Sequence, residues 1–353
     1  FFFPYYSLRY CGKGSDFHGQ ARGECSLHGG SYYSFYRPLF PGLFVALGAR
    51  VRRSIEVVTV KERLPIWFKK RIPDSKIMTE MEGLIGNLHL HTICESAICP
   101  NQGDCFSKRT ATFLILGDVC TRNCTFCAVK KGFPLPVDED EPAHLAEAAA
   151  HMGLRYVVIT SVTRDDLPDG GAAHFAKVVT RLKKEKKAAN VEVLIPDFQG
   201  SLEALRMVVD ARPEVINHNM ETVRRLYPEV RPMADYQRSL GLFRKIKELD
   251  SRIITKSGFM VGLGETKEEL LEAMKDLRQA GCDLLTIGQY LQPSPQHRPL
   301  FQYIRPDEFE EYACLGREMG FIAVSSAPLV RSSFNASELY DRSRRKQGGI
   351  PKL

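Results

Sequence analysis

From residue 111 onward, short apolar runs alternate with longer amphipathic ones. The short runs are ATFLILGD (111–118), YVVITSV (156–162), VEVLIPDF (191–198), EVINHNM (214–220), IITKSGFMVG (253–262), LLTIGQYL (284–291) and FIAVSSAP (321–328). Their length and apolar content predict strands. Between them, residues 139–152, 172–187, 201–211, 235–250, 266–281 and 306–319 read as helices. DEDEPAHLAEAAAHMG carries acids in its first turn and Gly153 just past its end, and GETKEELLEAMKDLRQAG repeats the arrangement with Gly281. Acids there suit the helix dipole, and glycine suits the C-terminal cap. Strands separated by helices predict a parallel sheet. Six or seven such units predict an α/β fold, a partial (β/α)6 barrel of the TIM type.

In barrels the chemistry sits at the C-terminal ends of the strands, and polar residues gather there in this chain. Thr160 and Ser161 precede VTRDD, and the run near 217 supplies Asn217, His218, Asn219 and Glu221. Later strands run into GLGE and GQYLQPS. Each of these alone reads equally well as a satisfied loop residue. Their joint placement after successive strands is the stronger signal.

The first fifty residues follow a different pattern. They are rich in Phe, Tyr, Gly and Ser, hold only Asp16 and Glu24 as acids, and keep no period of 2 or 3.6. A targeting segment, a disordered tail and sequence upstream of the true start are the three readings, and the Pro and Gly spacing favours the last two. The expected organisation is an irregular extension over 1–54, a cysteine-bearing segment over 55–110, the barrel over 111–335 and a polar tail over 336–353.

Composition narrows the class. The 353 residues carry a net charge of +7, and no dense Lys/Arg block is interleaved with aromatics, so no nucleic-acid site is expected. RLKKEKK at 181–187 reads as the solvated end of a helix. The apolar run LFPGLFVALGA (39–49) is broken by Pro41 and Gly42 and is too short to span a bilayer, so no membrane is expected as a partner. Of ten cysteines, six fall between Cys94 and Cys127. That clustering favours metal binding in a reducing cytoplasm over a disulfide framework. Cys282 and Cys314 read as small buried hydrophobes, and Cys11 and Cys25 receive no role.

CTRNCTFC, directly after the first strand, places Cys120, Cys124 and Cys127 with three and then two residues between them. Three thiolates from one tight loop can hold three corners of a [4Fe–4S] cluster, leaving one iron open to a small molecule. A zinc site would lack a fourth ligand within the loop. CESAICPNQGDC supplies Cys94, Cys99 and Cys105, which suit a second cluster, or a zinc ion with His89 or His91.

Cys-x3-Cys-x2-Cys after the first strand of a β/α barrel resembles the radical SAM superfamily. Phe126 between the last two cysteines and GFMVGLGE (258–265), with Gly262 near the adenine, fit that pattern. The resemblance implies that the fourth iron chelates S-adenosylmethionine, whose reductive cleavage gives a 5′-deoxyadenosyl radical. Cys-x4-Cys-x5-Cys upstream narrows it: this triplet, VVITSVTRDDLPDGGA, NHNMETVRRLYPEVRP, TKSGFMVGLGET, TIGQYLQPS and PLVRSSFNA together resemble the lipoyl synthase family over about residues 63–336. That resemblance implies a radical SAM barrel with an N-terminal auxiliary-cluster extension, two [4Fe–4S] clusters and S-adenosylmethionine. It implies Cys120, Cys124 and Cys127 at the SAM cluster, and Cys94, Cys99, Cys105 and Ser333 at the auxiliary one. Arg331 becomes a candidate for placing substrate or cluster, with an ordinary salt bridge equally open. Phe126, Thr160, Ser161, Asn217, Asn219, Glu221 and Gly262 become candidates for cofactor contacts. The implied reaction inserts two sulfur atoms at C6 and C8 of an octanoyl chain carried on a lysine. The implied partners are octanoylated lipoyl carrier domains, such as the E2 subunits of 2-oxoacid dehydrogenases and the glycine cleavage H protein, and an electron donor such as a ferredoxin or flavodoxin. Phe334 and Asn335 depart from the family's usual Tyr and His. Three rivals stay open: another auxiliary-cluster radical SAM enzyme, an electron carrier with two clusters, and a structural zinc protein.

Overall fold

The computed structural model describes residues 64–69, 75–185 and 190–346. The expected 1–54 extension therefore lies outside the described residues. In chain order the helices and strands are α1 (Ser75–Asn87), β1 (His91–Thr92), α2 (Ile93–Ser96), α3 (Gln102–Ser107), β2 (Thr112–Ile115), β3 (Val119–Cys120), β4 (Lys130–Lys131) and α4 (Glu141–His151). They continue with β5 (Tyr156–Ser161), α5 (Ala172–Lys184), β6 (Asn190–Leu194), α6 (Leu202–Asp210), β7 (Val215–Asn217), α7 (Tyr227–Val230), α8 (Tyr236–Leu249) and β8 (Ile254–Val261). The last are α9 (Lys267–Gln279), β9 (Leu284–Gln289), α10 (Pro306–Glu318), β10 (Ala323–Ser326) and α11 (Ala336–Lys346).

One eight-stranded sheet runs in the order β1-β2-β5-β6-β7-β8-β9-β10. The strands from β2 to β10 pair in parallel, while β1 pairs antiparallel with β2 through His91 opposite Leu114 and Thr92 opposite Phe113. This is the mostly parallel α/β sheet of a partial barrel. It carries seven parallel strands where the six-unit reading was the minimum. β1 gave no sequence signal, because two residues are too few to show a period.

The helices that separate the strands bury one stripe each. On α5, Phe175, Val178, Val179 and Leu182 are buried at helical spacing, and each such side chain contributes about 1.5–3 kcal/mol by leaving water. A capping box opens α9, where Thr266 accepts from Glu269 N–H and the Glu269 carboxylate returns to Thr266 N–H. Gly153 and Gly281 follow α4 and α9 with φ of 65° and 97°, the left-handed conformation that glycine reaches without steric cost.

The segment expected as a polar tail instead holds α11. Ala336, Leu339, Tyr340 and Ser343 form its buried stripe, and the Tyr340 ring lies 5.5 Å from that of Tyr156. Cys282 is buried as expected; Cys314 is only partly so, with Arg317 Nη2 donating to its sulfur at 3.1 Å.

Candidate active site

The cysteine loop of residues 120–127 is built from the end of β2 outward. Leu116 and Gly117 both take positive φ, 68° and 88°, which costs leucine about 1–2 kcal/mol. Two buried side chains hold that turn: Glu141 accepts from Leu116 N–H at 2.9 Å, and Arg164 Nη1 donates to Leu116 C=O at 3.2 Å. The chain then pairs β3 with β4, and Gly132 N–H donates to Cys120 C=O at 3.0 Å, closing a loop that holds all three cysteines.

The segment after β5 receives this loop. Thr121 N–H and Oγ1 both donate to Thr163 C=O, at 3.0 and 2.9 Å. Backbone N–H groups of Arg122 and Thr163 donate to Cys120 Sγ at 3.4 and 3.3 Å. Such bonds stabilise a thiolate and raise the potential of a cluster it holds. Arg122 turns inward, 5 % exposed, and its guanidinium meets Asp165 at 2.6 and 2.9 Å and Asp197 at 2.6 Å. Arg238 Nε reaches the other Asp197 oxygen at 2.7 Å. Burial opposes both charges, yet the hydrogen bonds and charges of the partners outweigh it, so the Arg122 pKa is raised and that of Asp197 lowered.

A cavity of about 460 Å³ opens beside this loop at the C-terminal ends of the strands. Cys120, Cys124 and Cys127 line it, and so do Phe126, Thr160, Ser161, Asn219, Glu221, Cys99, Arg331 and Ser333. One cavity thus brings together both cysteine segments and the C-terminal Arg-Ser-Ser. Cys94 and Cys105 do not line it. Cys94 is buried in α2, and Cys105 sits in α3. Cys99 and Cys105 are near enough to Cys94 to add like-charge repulsion.

Burial pushes the Cys127 and Cys94 thiols up to about 12, and raises that of Cys124 against the opposing pull of Arg231. A metal bound to these thiols would have to drive their deprotonation. Burial likewise raises the Glu221 carboxyl, opposed by Arg231 and the Asn219 amide. Burial lowers the Arg331 pKa; its Nη1 donates to Val330 C=O at 2.7 Å. Asn219 Nδ2 donates to Ser332 Oγ at 2.9 Å.

The residues present fit iron–sulfur chemistry. Four soft thiol donors, Cys99, Cys120, Cys124 and Cys127, line one cavity, and Asn219 Oδ1 and Ser161 Oγ are buried without a hydrogen-bond partner. Orphaned polar atoms of that kind call for a ligand or water. Among the described residues, no three His, Cys, Asp or Glu side chains converge as a single metal ion would require.

Two candidate contacts lie elsewhere. Asn217 does not line the cavity: its Nδ2 donates to Glu192 at 3.2 Å, within a buried group where Lys256 Nζ donates to Glu192 at 2.8 Å and Tyr156 O–H donates to Glu192 at 2.7 Å. Gly262 also lies outside the lining. A Cβ there would strike Gln289 and the Gln302 carbonyl, so packing already accounts for its lack of a side chain.

The sequence reading missed Arg122 with its two carboxylates, Asn101 and Gly288. Arg122 stood between the cysteines, but its partners lie 43 and 75 residues away, beyond any local pattern.

Comparison with known proteins bears on the same residues. The radical SAM superfamily profile matches residues 114–277. A lipoyl synthase of Caldanaerobacter subterraneus subsp. tengcongensis is 59% identical over 274 residues, covering 78% of this chain and 96% of that protein. The chain belongs to the lipoyl synthase family. A lipoyl synthase of Caldicellulosiruptor saccharolyticus agrees, 57% identical over 279 residues, covering 79% and 98%. Family membership makes the chain a radical SAM enzyme of lipoyl cofactor synthesis, and implies a [4Fe–4S] cluster and S-adenosylmethionine. No helix among the described residues is long and apolar enough to cross a membrane.

Proposed function

We propose that the protein inserts sulfur at C6 and C8 of an octanoyl chain on the lysine of a lipoyl carrier domain. The observation that carries this reading is the shared cavity: the SAM-type loop, Cys99 and Ser333 face one space. When bound, the first cluster supplies the electron that cleaves S-adenosylmethionine to a 5′-deoxyadenosyl radical, and the auxiliary cluster supplies sulfide.

Cys120, Cys124 and Cys127 would hold the first cluster, and Cys94, Cys99, Cys105 and Ser333 the second. Thr160, Ser161, Asn219 and Glu221 line the space where the nucleoside and substrate would sit, with Asn219 Oδ1 and Ser161 Oγ open to a hydrogen-bond donor. Phe126 and the apolar part of the lining would keep the reacting carbons out of bulk solvent. A serine oxygen is a harder donor than thiolate and a weaker match for iron. A ligand that leaves readily suits a cluster that gives up sulfur. The E2 subunits of 2-oxoacid dehydrogenases, the glycine cleavage H protein and a ferredoxin or flavodoxin donor remain the partners this chemistry requires, in a cytoplasmic setting.

The test is mass spectrometry. The chain is reconstituted anaerobically with iron and sulfide and given S-adenosylmethionine, a strong reductant and an octanoyl-lysyl peptide. A peptide heavier by two sulfur atoms, read as the dithiol, is the expected product. Deoxyadenosine with an unchanged peptide would refute the substrate assignment.

A further inference from the structure

The loop that carries Ser333 leaves the sheet after β10 and is tied down at two points by asparagines from distant parts of the chain. On one side Asn219 Nδ2 donates to Ser332 Oγ at 2.9 Å, across 113 residues. On the other, Asn101 Nδ2 donates to Leu329 C=O at 2.7 Å, across 228 residues. Asn101 is 1 % exposed and stands between Cys99 and Cys105. It also occupies the N-cap of α3, where an asparagine side chain ordinarily accepts from the helix; here it makes no capping bond. Its C=O accepts from Cys105 N–H at 2.9 Å. One residue thus bonds the cysteine segment through its backbone and the serine loop through its side chain.

We infer that Asn101 is a positioning residue that sets Ser333 against the Cys94–Cys99–Cys105 triplet. The inference rests on the reading of Ser333 as the fourth auxiliary ligand. Leu329 lies four residues before Ser333, so freeing its carbonyl lets the serine drift while every cysteine stays in place. A ligand that must be both present and easily lost needs its carbonyl-anchored loop to supply the order that a strong iron–oxygen bond would otherwise provide.

Asn101→Asp keeps the size of asparagine and removes the amide donor to Leu329, while adding a negative charge. Asn101→Leu, similar in volume and uncharged, guards against an effect of the added charge. Hydrogen exchange is measured on the reconstituted full chain, together with the electron paramagnetic resonance signal of the auxiliary cluster, with Ser333→Ala in parallel. Both Asn101 variants should speed exchange in residues 327–335 about tenfold, the worth of one hydrogen bond. They should also move the auxiliary signal toward that of Ser333→Ala and leave deoxyadenosine formation unchanged. Unchanged exchange and an unchanged auxiliary signal, with Ser333→Ala inactive in sulfur insertion, would overturn the role of Asn101 alone. Full sulfur insertion by Ser333→Ala would overturn the serine assignment and the inference with it.

Discussion

Gly288→Ala offers a test of the serine loop that touches no candidate ligand. Gly288 lies in β9, and a Cβ there would overlap the Val330 carbonyl oxygen, lie 3.0 Å from the Val330 carbonyl carbon and 3.3 Å from Arg331 Nη1. The overlapped carbonyl oxygen sets the limit: ordinary carbon–oxygen contact is about 3.2–3.5 Å, so the Val330 backbone must retreat by about 1 Å or more. The backbone cannot rotate away as a side chain would, because Val330 N–H is bonded to Ala327 C=O at 3.0 Å and Pro328 C=O accepts from Gln289 N–H at 3.2 Å. Overpacking of this kind costs about 1–3 kcal/mol, less than the stability of a typical domain, so the chain should still fold. Ser333, three residues on, moves with the loop. A misplacement near 1 Å costs about 10²-fold in rate. The assay reads the dithiol peptide and deoxyadenosine from the same reaction. On the proposed role of Ser333, the first should fall about 100-fold while the second stays within about threefold. Gly241→Ala in α8, where a Cβ meets nothing within 4 Å, is the control and should change neither. Dithiol formation near the parent rate would refute the argument that this close approach fixes the loop.

Four further outcomes follow from the same geometry. Cys124→Ala should abolish deoxyadenosine formation, measured chromatographically, if its loop holds the SAM cluster. Cys99→Ala should spare deoxyadenosine and eliminate the sulfur-containing peptide; product from that variant would remove the first triplet from the reaction. Arg122→Met leaves Asp165 and a fully buried Asp197 short of a cation. It should lower the urea-unfolding free energy by about 3 kcal/mol, Arg238 keeping the loss from being larger. Burial, with the Arg231 charge, pushes the His218 pKa from 6.5 down to about 4. The neutral ring's contribution is therefore complete above the unfolded value and is lost as pH falls toward the folded one. Between pH 7.5 and 5.5 the parent should lose about 1 kcal/mol that His218→Gln retains, read by urea unfolding at each pH.

The barrel was legible because its strands are apolar runs bounded by polar turns, and because its helices end on residues such as Gly153 and Gly281, which have few other uses there. The cysteine spacings were legible because ligands from one loop must be close in sequence. α11 was not: only Ala336, Leu339, Tyr340 and Ser343 of its residues face the core, and an outward surface of charges masks so thin a stripe. Asn217 misled because strand-end position does not say which way a side chain points; it faces Lys256 and Glu192 inside the sheet rather than the cavity.

What the sequence hid most completely is how the two halves of the site are joined. Arg122 binds the SAM-type loop to Asp165 and Asp197, while Asn101 and Asn219 suspend the serine loop between the cysteine segment and the strand ends. Each tie spans from 43 to 228 residues, and each depends on which strands are neighbours in the sheet. No local period encodes such a pairing. The cysteines declare themselves by spacing, but the buried polar side chains that tie their loops down look ordinary until the sheet brings them together. Substitutions at those side chains should therefore damage sulfur insertion while leaving the cysteines, and their count, untouched.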